Sequence, residues 1–264
     1  VIVTTAERPD REMIERARRL AGEFSCRFAP RRRETLAGLR RKYADARDGV
    51  LVAGADGLRF VAGDAPPLFY HPSMAFIRVK RLRDGGTDAL VEAANAKEGD
   101  AVLDCTAGLG ADSLVLSYAV GEKGRVTALE ASRLLHVIVR EGLREYDSEL
   151  ADVNAAMRRI DAVCADHLEY MSAMPDKSVD IVYFDPMFTV PVEAASSLAP
   201  LRAYAKDEPL AEEALRQARR VARKRIVLKE HRESGQFARL GIRLVRPSGA
   251  AIAYGVISIH DEND

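Results

Sequence analysis

The chain has 264 residues, 47% hydrophobic and 30% charged, and its 40 basic and 40 acidic side chains cancel to a formal net charge of zero. That content builds a sizeable core under a charged surface, as one large domain or a main domain with a smaller companion. It excludes a membrane-spanning helix, which needs an apolar run of ~20 residues, and it argues against gripping nucleic acid by overall charge alone.

The opening Val1–Thr5 reads as a strand, too short for a signal peptide. A helix is predicted from Pro9 to Gly22 and a second, strongly basic one from Glu34 to Tyr43. Residues 49–53 and 58–62 then form a hairpin on an Asp56-Gly57 turn. Together these make a small α+β domain over residues 1–75, a candidate RNA-binding element. Pro66-Pro67 and the aromatic Leu68–Pro72 read as its link to the rest.

Beyond Gly85-Gly86 strands and helices alternate through the second domain, residues 76–264. Strands are predicted at 101–104, 125–130, 162–165, 179–184 and 225–229, with helices near 87–96, 111–119, 132–144 and 149–158. Residues 242–245 and 251–259 look like a closing antiparallel pair. Strands spaced by helices imply a mostly parallel α/β sheet covered on both faces.

Charge is unevenly spread along this order. Arg27–Lys42 holds seven basic residues and one acid, and Arg216–Arg246 holds eleven against Glu230 and Glu233. Each patch reads either as the solvated face of a helix or as a track for a phosphate backbone. The cysteines Cys26, Cys105 and Cys164 have no metal-ligand spacing, so no metal is expected. Cys105 and Cys164 sit in apolar strand contexts and read as small core residues of a reducing compartment, the cytoplasm.

The most informative run is Ala101-Val102-Leu103-Asp104-Cys105-Thr106-Ala107-Gly108-Leu109-Gly110-Ala111-Asp112-Ser113. It is a buried strand ending in an acid, a turn on Gly108 and Gly110, and the entry to a helix. Such a turn brings bare backbone close to a cofactor at the carboxyl edge of a parallel sheet. The glycines alone also fit a dinucleotide fingerprint. Asp104 tips the balance, because a carboxylate there repels a pyrophosphate and welcomes the cationic head of S-adenosylmethionine. Glu130 ends the second strand, where an acid accepts from both ribose hydroxyls, and Asp166 ends the third, where one accepts from an adenine amino group. Each of these acids also has a plain reading as a strand-end surface residue or helix cap. Asp112 reads as a helix-start residue or a cofactor contact.

The second phrase, Asp185-Pro186-Met187-Phe188, follows the strand at 179–184. An exocyclic amine on a base is a poor nucleophile because its lone pair is delocalised. Acceptance of its two hydrogens by the Asp185 carboxylate and the Pro186 carbonyl favours a tetrahedral nitrogen aimed at a methyl donor. Proline stiffens the turn, and Phe188 offers a stacking face, a contact worth about 1–3 kcal/mol. The alternative is a tight turn with a core phenylalanine. Among other candidates, His71, Arg78, Lys80 and Arg81 read as linker surface or as phosphate contacts. Lys229 reads as a nucleic-acid contact or as a partner of Glu230, and 190–205 as a substrate-side lid.

With Asp104–Asp112 and Asp185–Phe188 in hand, the chain resembles the RsmJ-type methyltransferases, whose signature pairs Asp-x-Thr-Ala-Gly-Leu-Gly-x-Asp with Asp-Pro-Met-Phe. The resemblance covers about Met74 to Lys229. It implies a Rossmann-like class I methyltransferase fold with a seven-stranded, mostly parallel sheet and a terminal antiparallel hairpin. S-adenosylmethionine is implied as cofactor, and ribosomal RNA or the small ribosomal subunit as partner. The implied reaction is methylation of the exocyclic N2 of a guanine in 16S ribosomal RNA. By the same resemblance, cofactor contacts come from Ala111-Asp112, Glu130-Ala131, Asp166-His167 and Asp185. The family usually has arginine in place of Ala111, serine in place of Asp166 and His167, and proline in place of Thr189. The alternative acceptors are a DNA adenine, a protein glutamine amide or a small molecule.

Overall fold

The computed structural model describes residues 1–63, 65–186, 209–245 and 251–259. The chain divides into two compact units, Val1–His71 with Ile138–Tyr146, and Pro72–Val137 with Asp147–Asp264.

The first unit is a four-stranded sheet of β1 (Ile2–Thr5), β2 (Val50–Gly54), β3 (Gly57–Val61) and β4 (Leu68–Phe69), in that order. β1 runs parallel to β2, and the other pairs are antiparallel. Helix α1 (Arg11–Glu23) starts where the Asp10 carboxylate accepts from the Met13 amide at 2.8 Å, and it buries Ala17, Leu20 and Ala21. Helix α2 (Leu36–Lys42) is shorter than expected, because Arg32 and Arg33 before it are left-handed (φ 42° and 67°) and Thr35 caps it. The hairpin turns on Ala55-Asp56, one residue earlier than expected, with Gly57 already in the strand at φ 102°. Residues 68–69, expected as linker, pair with β3 as an edge strand.

The second unit holds a seven-stranded sheet. In chain order its strands are β5 (Ala101–Asp104), β6 (Arg125–Glu130), β7 (Ile160–Cys164), β8 (Val179–Phe184), β9 (Ala222–His231), β10 (Arg243–Val245) and β11 (Ile252–Ser258). Their spatial order is β10-β11-β9-β8-β5-β6-β7. Strands β5 to β9 are parallel, and β11 runs antiparallel between β9 and β10. This is the expected Rossmann-like sheet with its antiparallel ending. The central β5 and β8 are apolar on both faces, and Leu103, Ile181, Val182 and Phe184 are fully buried. The chain runs outward from β5 through β6 to β7 and then returns to β8 on the other side. The carboxyl ends of β5 and β8 therefore flank the switch point where open α/β sheets bind ligands.

Helices α3 (Ser73–Arg83), α4 (Ala89–Ala94), α5 (Ala111–Val120), α6 (Arg133–Glu145), α7 (Ala151–Arg158), α8 (His167–Ala173), α9 (Glu212–Val221) and α10 (Gln236–Arg239) complete the described α-helices. Residues 138–146, most of α6 and the residue after it, count with the first unit. Among the described residues no helix is long and apolar enough to cross a membrane. Cys105 is buried as expected, but Cys164 is exposed, because β7 is an edge strand with an open face.

Candidate active site

The site is built where β5 and β8 end side by side. Cys105 donates its amide to the Tyr183 carbonyl at 2.9 Å, which carries the pairing one residue past β5. The chain then turns through Gly108 and Gly110, both left-handed at φ 53° and 74°, and enters α5 with Gly110 as N-cap. Left-handed backbone is open to glycine at little cost and leaves the turn without side chains. Asp104 lies beneath this turn, 1% exposed, accepting from the Thr106 amide at 3.1 Å and the Ser113 hydroxyl at 2.5 Å. Its carboxylate thus braces the loop from below. Burial pushes its pKa up to about 7, against the Ser113 and Thr106 hydrogen bonds.

Glu130 ends β6 next to the same loop. One of its oxygens accepts from the Gly108 amide at 3.1 Å and the other from the Ser132 amide at 2.7 Å. Burial raises its pKa, opposed by those two amides. Ala131 beside it is exposed, as is Ala111 at the start of α5. Asp166 caps α8, accepting from the Leu168 amide at 2.9 Å and the Glu169 amide at 3.4 Å. His167 stands edge-on to Phe184 with ring centroids 5.7 Å apart. The ends of β5, β6 and β7 carry the three acids in spatial sequence, and Glu130 is bonded directly to the glycine turn.

The reacting phrase is fixed from the first loop, since the Asp185 amide donates to the Thr106 hydroxyl at 2.5 Å. Parallel pairing of Tyr183 with Val227 brings the residues two further on, Asp185 and Lys229, to one level and one face. The Lys229 ammonium lies 2.7 Å from Asp185 Oδ2 and 2.8 Å from Asp112 Oδ2. Asp112 is buried, and the Tyr183 hydroxyl also donates to it at 2.6 Å. Its other oxygen accepts from Arg78 of α3, whose guanidinium grips Asp88 through two bonds of 2.8 and 2.9 Å. Burial works against charge throughout this cluster. Lys229 and Arg78 nevertheless hold Asp112 well below the usual carboxylate range, and Asp112 with Asp185 holds Lys229 protonated. Asp185 goes the other way: burial and the neighbouring Asp112 outweigh Lys229 and push it up to about 7.

Several expectations change here. Arg78 is no linker-surface or phosphate residue, because both faces of its guanidinium fork are taken by buried carboxylates. Lys229 pairs with Asp112 and Asp185 rather than with Glu230, which is buried and accepts from the His231 amide. Asp112, expected as a helix-start residue or a cofactor contact, is taken up by three side chains. Pro186 is described and partly buried next to Asp185. Phe188, Met187, Thr189 and the proposed lid at 190–205 lie outside the described residues. Thr106 and Tyr183 were missed as site residues; Thr106 stood in the first motif, while Tyr183 carried no signal beyond its strand. Among the described residues no cluster of acids, cysteines and histidines is arranged to hold a metal.

The described residues fit S-adenosylmethionine: two left-handed glycines leave the loop backbone bare, α5 opens on them, and acids stand at or just past the ends of three adjacent strands. The family described as "Putative SAM-dependent methyltransferase" matches residues 50–240. The chain is 39% identical over 256 residues to "Uncharacterized protein YpiP" of Bacillus subtilis (strain 168), covering 97% of this chain and 98% of that protein. It is 30% identical over 202 residues to the ribosomal RNA small subunit methyltransferase J of Dechloromonas aromatica (strain RCB), covering 71% and 78%. The protein of that name from Hahella chejuensis (strain KCTC 2396) is 33% identical over 172 residues, and the match spans 62% of its length, less than two thirds. The crystal structure of the SAM-dependent methyltransferase NGO1261 from Neisseria gonorrhoeae shares the fold, with TM-score 0.65 at 20% identity over 100% of this chain and 98% of that one.

Proposed function

The chain belongs to the S-adenosylmethionine-dependent methyltransferase family, as an RsmJ-like class I member, and from that membership we propose that it methylates the exocyclic N2 amine of a guanine in small-subunit ribosomal RNA, in the cytoplasm. The observation that carries this reading is Asp185, a carboxylate at the switch point, anchored to the cofactor loop through Thr106 and followed by Pro186. S-adenosylmethionine, when bound, supplies the electrophilic methyl group.

The chain's own residues do the rest by placement. Gly108 and Gly110 leave room for the donor, while Glu130 meets the ribose and Asp166 with His167 flanks the base. Asp104 holds the loop that Ala111, Asp112 and Ala131 adjoin. Asp185 and the Pro186 carbonyl take the two amine hydrogens and turn the nitrogen lone pair toward the methyl carbon, with the guanine seated over Phe188. Catalysis by orientation and electrostatic placement needs no covalent enzyme intermediate. Ribosomal RNA as the acceptor is supported by the similarity to the two proteins named ribosomal RNA small subunit methyltransferase J.

Asp185→Ala is expected to lower methyl transfer to small ribosomal subunits by at least about 100-fold, with the circular dichroism spectrum kept, since the Thr106 bond uses the backbone. A fully active variant overturns the assignment. Mapping methylated nucleotides in ribosomal RNA from cells with and without the gene identifies the acceptor, and an unchanged 16S map rejects the guanine-N2 reading.

A further inference from the structure

The cluster at the switch point is a row of alternating charges, Asp88–Arg78–Asp112–Lys229–Asp185, running from α4 through α3, α5 and β9 to the reacting phrase. Three carboxylates against two cations leave one negative charge in surplus, and the row ends on a carboxylate at either side, Asp88 and Asp185. The far end is anchored: Asp88 caps α4 through the Leu90 and Val91 amides, so Arg78 is set by a helix terminus. The near end is partly open, with 24% of the Asp185 side chain and 19% of that of Lys229 exposed.

We propose that Lys229 is the positioning residue of methyl transfer: by holding Oδ2 of Asp185, it presents Oδ1 to the acceptor amine and keeps the carboxylate charged beside Asp112. The inference rests on the reading of Asp185 as the amine acceptor. Two carboxylates that share one cation cannot both stay ionised without it, and Asp112 is the more tightly held, by Arg78 and Tyr183. Loss of the lysine therefore protonates Asp185, whose carboxyl then offers a hydrogen where the amine needs an acceptor. The charged and titratable groups around Asp185 are Lys229 from β9, Asp112 from α5 and Tyr183 from β8. Arg78, Asp104 and Tyr254 bear on the same cluster. Burial holds the Tyr183 hydroxyl far above its usual range, and Tyr254 is pushed up to about 12, so neither phenol competes in the working pH range.

The test is a carbon-13 NMR titration of aspartate-labelled full chain, with Asp185→Asn identifying the resonance, alongside pH profiles of methyl transfer to purified small ribosomal subunits. In Lys229→Met the Asp185 titration should move up by at least one unit, and transfer at pH 7 should fall by at least about fivefold and recover as pH rises. Lys229→Arg, which keeps the cation, should restore the wild-type profile. Asp112→Asn should move Asp185 the opposite way, and it carries the test if Lys229→Met fails to fold. An unmoved Asp185 titration, or a loss of rate equal at every pH, overturns the inference. A moved titration with a fully active Asp185→Asn instead overturns the reading of Asp185, and the role of Lys229 in transfer with it.

Discussion

Asp104 and Asp185 end neighbouring strands, and burial lifts both carboxyls to about 7. A carboxyl whose pKa is higher folded than unfolded binds more protons in the native state. Its contribution to stability is present at low pH and is lost as pH rises from about 4 through 7. A bound sulfonium supplies the opposite charge and favours the ionised forms. The apoprotein should therefore lose thermal stability as pH rises from about 5 to 7 and level off above that, while affinity for S-adenosylmethionine rises over the same range. S-adenosylhomocysteine, which lacks the sulfonium charge, should show a shallower rise. Calorimetric titration of both ligands across that range checks this, and a flat affinity for S-adenosylmethionine refutes it. The same residues show how far a sequence alone can be read. Asp104 and Asp185 were legible because each follows an unbroken apolar run. The role of Lys229 was not, because its partners Asp112 and Asp185 are 117 and 44 residues away and the strand order brings them together.

At the scale of elements, the basic stretch before α2 separates into two kinds of arginine. Arg31 is committed, donating to the Glu34 carbonyl at 2.8 Å and lying 3.2 Å from the Glu7 carboxylate. Arg32 and Arg33 are exposed in consecutive left-handed conformations, with no described ion pair. Each such residue costs about 1–2 kcal/mol. If this turn tracks an RNA backbone, Arg32→Glu with Arg33→Glu should weaken binding to a ribosomal RNA fragment at least tenfold. It should also reduce the salt slope by about 2 and leave S-adenosylmethionine affinity untouched. Unchanged RNA binding assigns the stretch to solvated surface. Helix α3, like α8, α9 and α10, is an element that periodicity did not reveal. Its inward positions are Ala75, Val79 and the half-buried Arg78, while the larger apolar residues Met74 and Ile77 are 64% and 52% exposed. A helix held by a buried guanidinium shows no apolar stripe.

Over the whole molecule, the boundary in sequence near residue 71 does not close the first unit, which also holds residues 138–146 of and just after α6. Within that unit Glu141 is fully buried and meets Arg19 at 2.8 Å, Arg140 at 2.9 Å and Arg16 at 3.3 Å. A chain beginning at Pro72 takes away the rest of the unit to which residues 138–146 belong, and with it Arg16 and Arg19 from beside Glu141. Such a chain should melt well below the full-length protein by circular dichroism; equal melting temperatures would contradict this account. No local pattern in the sequence announces the arrangement, because α6 reads as an ordinary amphipathic helix throughout. Its consequence reaches into heredity. A gene fragment for the first 71 residues cannot travel as a self-sufficient cassette, since part of what completes it is encoded some seventy codons downstream. Recombination that exchanged this front segment between relatives would have to carry a matching α6, so the two stretches are expected to have a shared ancestry.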